Sequence, residues 1–176
     1  SIVYSALFAL VTLFVAPNAP FSLHARPGHG LDNTIAVQSR TETGLKLISY
    51  DIDNIEFHSG DTLELTLAWH TVDQVDTNFQ TYIHIRDIEQ NVRWQQGDAQ
   101  HPGNYPTTRW INFAYVKDTH RLTLSPTIPP GTYQIAVEIG ICDPECLDMR
   151  RLTFVGPDNQ QYGQILTLPS TITLLP

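Results

Sequence analysis

The sequence predicts an all-β fold, an antiparallel β-sandwich of the immunoglobulin or jelly-roll kind, preceded by one N-terminal hydrophobic membrane-anchoring helix. The sandwich is indicated by short runs in which apolar and polar residues alternate, and by turn-forming residues between those runs. The helix is indicated by an unbroken apolar run at residues 2–16. A chain of 176 residues can form one domain with its own core.

Alternation with a period of two is clearest in three segments. TLELTLAWH (62–70) places on one face Leu63, Leu65, Leu67 and Trp69. FQTYIHIR (79–86) points inward Phe79, Thr81, Ile83 and Ile85, and outward Gln80, Tyr82, His84 and Arg86. TYQIAVEIGI (132–141) is the third, and shorter versions are LKLISYDI, RRLTFV, GQILTL and TITLL. Turns are predicted at HSGD (58–61) and PPGT (129–132), so the runs should be hairpin-linked strands.

The apolar run ends at Pro17 and is short for a complete membrane span. A cleaved signal peptide is disfavoured because the run has no charged segment before it, and a pilin-like stalk because the fifth residue is Ser5. We therefore expect residues 1–17 to be an anchor, with a membrane lipid or membrane protein as the partner of residues 2–16. Residues 18–34, rich in Pro, Gly and Asn, predict a linker, and residues 35–176 the extracytoplasmic sandwich at the cell membrane.

The charge excludes two classes of partner. The net charge is −8 and the chain has only 10 lysines and arginines, without a basic run. Nucleic-acid binding requires cations that displace counterions from phosphates, and anionic lipid head groups require the same. Nucleic acid is therefore not an expected partner, whereas a glycan remains a candidate.

The two cysteines, Cys142 and Cys146, lie in ICDPECLD. The pair could form a disulfide, contribute to a metal site, or remain as free thiols. A zinc site would need two more ligands at matched spacing, and the clustered acids beside the cysteines lack the order of a calcium loop. His84 has no partner histidine two residues away, so we expect a solvated or hydrogen-bonded strand residue there. We favour the disulfide, and expect no metal and no cofactor.

The stretch QGDAQHPGNYPTTRW (96–110) cannot be a helix, because glycines and prolines interrupt it. Together with a preceding tryptophan it contributes the candidate ligand-binding residues, which are Trp94, Asp98, His101, Tyr105, Arg109 and Trp110. In one interpretation the aromatic rings stack on a sugar and the polar groups contact its hydroxyls. In the other, Trp110 and Tyr105 close the open end of the sandwich. We favour packing for Trp110, and expect His101 and Arg109 to be exposed.

The order of these elements resembles the C-terminal domain of bacterial, Chloroflexi-type membrane glycosyltransferases of the dolichyl-phosphate-mannose-type superfamily. The match spans roughly residues 44–154, and its most specific part is the Tyr-Pro-Thr…Trp block. The matching residues are Gly60, Asp61, Trp69, His84, Gln96, Asp98, Pro102, Gly103, Tyr105, Pro106, Thr107, Trp110, Asp118, Pro130, Gly131, Tyr133, Arg151 and Leu152. Departures are Ile111, Asn112 and Phe113 after the tryptophan, and Ile141 and Cys142 after Gly140. The resemblance implies an extracytoplasmic β-sandwich, with catalytic residues in membrane loops outside the matched region.

Two function classes follow. The chain is either a membrane-anchored, non-catalytic sandwich that binds a glycan, a cell-surface polymer or a membrane-complex subunit, or the accessory C-terminal domain of a polytopic glycosyltransferase. No nucleophile elbow or other local catalytic signature is present, so we expect no enzymatic activity in this chain.

The disulfide can be tested by mass. If Cys142 and Cys146 are joined, the native protein takes up no alkylating label until a reductant is added, because a disulfide has no nucleophilic thiolate. Uptake of two labels by the native, unreduced protein would contradict the pairing.

Overall fold

The computed structural model describes residues 35–89, 93–141 and 150–176. The predicted anchor and linker at 1–34, and the pair Cys142 and Cys146, lie outside the described residues. Within the described ranges, no helix has the length and apolar character needed to cross a membrane.

The described residues form an all-β fold, as the sequence predicts. In chain order, the strands are β1 (Ile35–Thr41), β2 (Lys46–Ile52), β3 (Glu56–Phe57), β4 (Thr62–His70), β5 (Phe79–Asp87), β6 (Arg93–Gln96), β7 (Tyr115–Thr123), β8 (Gly131–Ile141), β9 (Arg150–Arg151), β10 (Phe154–Val155), β11 (Gln161–Gly163) and β12 (Ile165–Leu174). Two short 3-10 helices, at Pro102–Asn104 and Thr107–Arg109, lie between β6 and β7.

The strands form two sheets. Sheet A has the order β11-β10-β1-β2-β4-β7, and sheet B the order β3-β12-β8-β5-β6, with β9 pairing with the end of β8. The described strand pairs are antiparallel except that β3 lies parallel to β12, where Glu56 faces Thr173. This parallel pair corrects the prediction of a purely antiparallel sandwich. Side chains alternate with a period of two in parallel and in antiparallel strands alike, so the sequence pattern could not reveal that β3 is parallel to β12.

The core lies between the sheets and is built from the inward residues of the alternating strands. In sheet A these include Leu63, Leu65, Leu67 and Trp69, all buried. In sheet B the register places Ile83 beside Val137 and Ile85 beside Ile135. Each such side chain contributes about 1.5–3 kcal/mol by leaving water, which makes this interior the main source of stability.

Two segments differ from their predicted boundaries. RRLTFV divides into β9, which pairs with β8 in sheet B, and β10, which pairs with β1 in sheet A. The chain therefore crosses from one sheet to the other within this segment. GQILTL and TITLL, in contrast, join into the single strand β12, whose register against β8 shifts between Thr167 and Thr171.

The stretch at 96–110 leads from β6 in sheet B to β7 in sheet A and is therefore a crossover between the sheets. Gly103 has φ +69, and a Cβ there would lie 2.5 Å from Val116 Cγ1, so only glycine fits against β7. Trp110 follows the second 3-10 helix and is only 1% exposed, packed in the core. The loop is thus fixed to the sandwich by an aromatic side chain at its far end.

The position of Trp110 predicts a large stability effect. Trp110→Ala should lower the free energy of unfolding by about 3–5 kcal/mol, because it leaves a cavity where an indole was buried. Urea unfolding followed by circular dichroism would measure this. The neighbouring Ile111 is 58% exposed, so Ile111→Ala is a matched control expected to change stability by no more than about 0.5 kcal/mol. Equal midpoints for the two variants would contradict the packing role.

Candidate functional site

The structure separates the six candidate ligand-binding residues. Trp110 is buried, so its ring faces are not available to a ligand. Tyr105 is half-buried against the core, with the Arg109 guanidinium carbon 5.9 Å from the centre of its ring. Trp94 lines a different cavity, together with residues of the turn before β8. A shared stacking platform of the three rings is therefore not formed.

The polar members of the loop also differ from one another. His101 is half-buried and its Nδ1 lies 2.8 Å from the Phe79 carbonyl oxygen, to which it donates. The expectation that His101 is exposed is wrong, because this bond holds the ring against β5. Asp98 and Arg109 are exposed. A role of these residues in ligand binding stays a prediction.

The loop is held by a buried carboxylate that is not among the six candidate ligand-binding residues. Asp118, on β7, is 0% exposed and points between the sheets. Its Oδ1 accepts hydrogen bonds from the Gln100 side chain at 2.6 Å and from the Gly103 backbone at 3.1 Å. Both donors belong to the stretch between β6 and β7, so this oxygen fixes the path of the loop.

The other oxygen of Asp118 binds the two sheets. Its Oδ2 accepts from Trp69 Nε1 at 3.1 Å, from Thr81 Oγ1 at 2.9 Å and from His120 Nε2 at 2.9 Å. One signal could have revealed this cluster: Asp118 and His120 occupy the inward positions of β7, where alternation calls for apolar residues. The cluster is buried, so we assign its hydrogen bonds a structural role, which is to join the two sheets and the loop.

A second polar cluster opens to solvent on the outer face of sheet B. It is a groove of about 500 Å³, which we call the arginine groove. Its lining residues are Arg86, Arg93, Glu138, Arg151, Tyr162, Gln164, Ile165 and Thr167. They come from β5, β6, β8, β9, the β11–β12 region and β12, so the groove exists only once the sheet is assembled.

The register of sheet B explains why these side chains meet. Arg86 faces Arg93 across β5 and β6. Glu138 faces Ile165 across β8 and β12, and Arg151 faces Gly140 across β9 and β8. Positions 138 and 140 share one face of β8, since side chains alternate along a strand. The outward positions of these five strands therefore converge on one surface.

Glu138 is the buried acid of the arginine groove and is only 3% exposed. Arg151 Nε donates to its Oε1 at 2.6 Å, and His84 Nε2 lies 3.3 Å from its Oε2. Burial raises the pKa of Glu138, but the interactions with His84 and Arg151 outweigh burial, so the net pKa lies below its ordinary value. Glu138 is therefore a carboxylate at neutral pH, and half-exposed Arg151 covers it.

His84 lies next to Glu138, and its environment differs from the expectation of a solvated or hydrogen-bonded strand residue. It occupies an outward position of β5, as predicted, but is 1% exposed rather than solvated. Its two ring nitrogens have no aligned hydrogen bond. Its cross-strand neighbours are Gln96 on β6 and Ala136 on β8. In the described part of the chain, no group of three or more His, Cys, Asp or Glu residues could hold a metal ion.

The arginine groove can bind polar and anionic groups. A guanidinium presents several donors in a plane and matches a carboxylate or a phosphate with two parallel hydrogen bonds. Among the described residues that line the groove, Arg86, Arg93 and Arg151 outnumber the one carboxylate, Glu138, and that carboxylate is already paired. In a chain of net charge −8, this makes the groove a local concentration of positive charge.

Comparison with solved structures shows likeness of fold. The structure is similar to the C-terminal domain of wzt, with a TM-score of 0.53 and 11% identity, over 82% of this chain and 79% of that chain. It also matches a Niemann-Pick type C2 protein from the Japanese carpenter ant, with a TM-score of 0.43 and 6% identity, over 80% of this chain and 96% of that chain. The second likeness is too distant to carry an argument. No protein-family model and no curated protein matches the sequence.

The lowered pKa of Glu138 predicts how stability depends on pH. The pKa of Glu138 in the folded protein lies below its ordinary value of 4.5. The ionised carboxylate therefore stabilises the fold fully above pH 4.5, and this stabilisation is lost as the pH falls toward the folded pKa. Glu138→Gln should therefore be less stable than the parent at neutral pH, and its unfolding free energy should fall less on acidification. Urea unfolding over a series of pH values would measure both.

Glu64→Gln is the control for this experiment. Glu64 pairs with Arg121 on the exposed face of sheet A, where an ion pair contributes about 0–1 kcal/mol. If the unfolding free energies of Glu138→Gln and the parent fell in parallel from neutral to acid pH, the lowered pKa of Glu138 would be contradicted.

Proposed function

We propose that this chain is a non-catalytic, extracytoplasmic β-sandwich that binds a glycan bearing acidic groups, and that the arginine groove is its binding site. The observation that carries the proposal is the convergence of Arg86, Arg93 and Arg151 around an open groove in an otherwise acidic protein. Uronate, phosphate or sulfate substituents on a sugar would each accept the paired donors of a guanidinium.

The remaining lining residues support a hydroxyl-rich ligand rather than a bare anion. Gln164 and Thr167 offer side-chain donors and acceptors that can pair with sugar hydroxyls. Tyr162 is 47% exposed and presents an aromatic ring at the same groove. A ring with one apolar face can pack on such a side chain while its hydroxyls reach the polar groups.

The proposal is for binding without catalysis. Hydrolysis of a glycosidic bond commonly requires two facing carboxyl groups, one as acid and one as base or nucleophile. Among the described residues that line the arginine groove, Glu138 is the one with a carboxylate, and Arg151 binds it. A carboxylate held ionised by an arginine is poorly suited to donate a proton.

The cellular setting is proposed from the sequence. The apolar run at 2–16 favours attachment to the membrane, with the sandwich on the extracytoplasmic side. The resemblance to the C-terminal domains of membrane glycosyltransferases favours an accessory role beside such an enzyme as the second candidate. A membrane-attached sandwich and an accessory domain of a glycosyltransferase would both bring the arginine groove near cell-surface polymers. The same sugar-binding experiment therefore applies to both settings.

Binding of acidic sugars should depend on the groove arginines. Arg93→Gln should weaken binding of uronate-, phosphate- or sulfate-bearing oligosaccharides by about tenfold or more, because charge-assisted hydrogen bonds contribute about 1.5–3 kcal/mol each. Arg93 is exposed and bonds Gln96, so its loss should leave the fold intact. Isothermal titration calorimetry on the full chain would give the affinities, and added salt should weaken them.

Arg121→Gln is the matched control, since it removes one exposed arginine from the opposite sheet. It should leave the affinity for acidic oligosaccharides unchanged. Equal affinities for acidic and neutral oligosaccharides of one size, or equal losses in the two variants, would contradict binding in the arginine groove.

A further inference from the structure

A second cavity lies beside the edge strand β6, around a tryptophan that differs from the other two. Trp94 is 38% exposed, whereas Trp69 and Trp110 are 0% and 1% exposed. Large aromatic side chains usually contribute by burial, and this one leaves part of its ring in water. The core therefore does not account for its position.

The backbone of β6 directs Trp94 into this cavity. The ladder with β5 pairs Ile85 with Gln95 and Arg86 with Arg93, so Trp94 has no cross-strand partner. This is a β-bulge, a feature that turns a side chain away from the regular alternation of a strand. Arg93 points into the arginine groove and Trp94 into the second cavity, although they are successive residues.

The second cavity, which we call the Trp94 cavity, has a volume of about 460 Å³. Its lining residues are Asp87, Ile88, Glu89, Trp94, Pro129, Pro130, Gly131, Thr132 and Tyr133. The wall opposite β6 is rigid, because prolines fix their own φ and the Tyr133 hydroxyl donates to the Pro129 carbonyl at 2.7 Å. The volume lies in the range of about 300–1,000 Å³ that is usual for small-ligand sites.

The polar groups of the Trp94 cavity disfavour anionic ligands and can accept hydrogen bonds. Among the described residues that line it are the carboxylates of Asp87 and Glu89, and none of those residues is an arginine or a lysine. An anionic ligand would be repelled there, and a purely apolar one would desolvate the carboxylates without replacing their hydrogen bonds. The complementary ligand has an apolar face for the indole and hydroxyl donors for the carboxylate oxygens.

We infer that the Trp94 cavity binds a neutral sugar ring, whose C–H face stacks on the indole of Trp94 and whose hydroxyls donate to Asp87 and Glu89. Within the described ranges, no residue lines both the Trp94 cavity and the arginine groove. The inference therefore does not depend on the proposed function and can be tested separately from it.

The burial of the other two tryptophans makes fluorescence a direct test. Acrylamide should quench mainly Trp94, because Trp69 and Trp110 are inaccessible in the folded full chain. We expect a neutral tetrasaccharide of glucose, mannose or galactose, titrated as the probe, to shift the emission and protect Trp94 from acrylamide in a saturable manner. The inference is overturned if none of the three tetrasaccharides protects it.

Variants locate the binding. By calorimetry, Trp94→Ala should lose at least tenfold in affinity for the protecting tetrasaccharide, whereas Trp94→Phe, which keeps a stacking ring, should remain within a few-fold of the parent. Glu89→Gln should weaken binding several-fold, and Arg121→Gln, on the opposite sheet, should leave it unchanged. Urea unfolding of Trp94→Ala should match the parent, which separates loss of binding from loss of fold.

An affinity that survives Trp94→Ala would overturn the inference and indicate that the exposed indole serves another partner, such as a protein surface.

Discussion

The carboxylate of Asp118 is the interaction on which the interior depends. An ionised side chain between two sheets costs several kcal/mol in lost hydration unless its oxygens are fully hydrogen-bonded. Asp118 meets this requirement with donors from β4, β5, β7 and the loop between β6 and β7. A shift of any one of these elements would leave part of a buried charge unpaired. Hence one short side chain constrains the relative positions of both sheets and the loop.

Strand β5 connects the Asp118 cluster to the outer face of sheet B. Thr81, on the inner side of β5, is bound to Asp118, while His84 and Arg86 project from the outer side of the same strand. Glu138 is also buried, but on that outer face, and its partner Arg151 remains about half-exposed. The two acids therefore serve different purposes. Asp118 is enclosed by neutral donors and a histidine, whereas Glu138 positions an arginine whose remaining donors can meet a ligand.

Of the eighteen residues that carry the resemblance expected from the sequence, eight are buried in the structure. Trp69, Asp118 and Gly103 meet in the buried cluster, and Thr107 and Trp110 are buried at the end of the loop. Of the three groove arginines, the matched pattern includes Arg151 alone, so most of the residues proposed to choose the ligand are not residues of that pattern.

The sequence by itself determined the all-β class and the strands β4, β5 and β8, because alternation at a period of two is a local property. It also favoured an interior position for Trp110, since a large apolar ring in a rigid loop needs burial. Only the tertiary structure decided the partners of Asp118, the parallel pairing of β3, the bulge at Trp94 and the meeting of arginines from three strands. These depend on strand order and register, which join residues far apart in the chain and leave no trace in local periodicity.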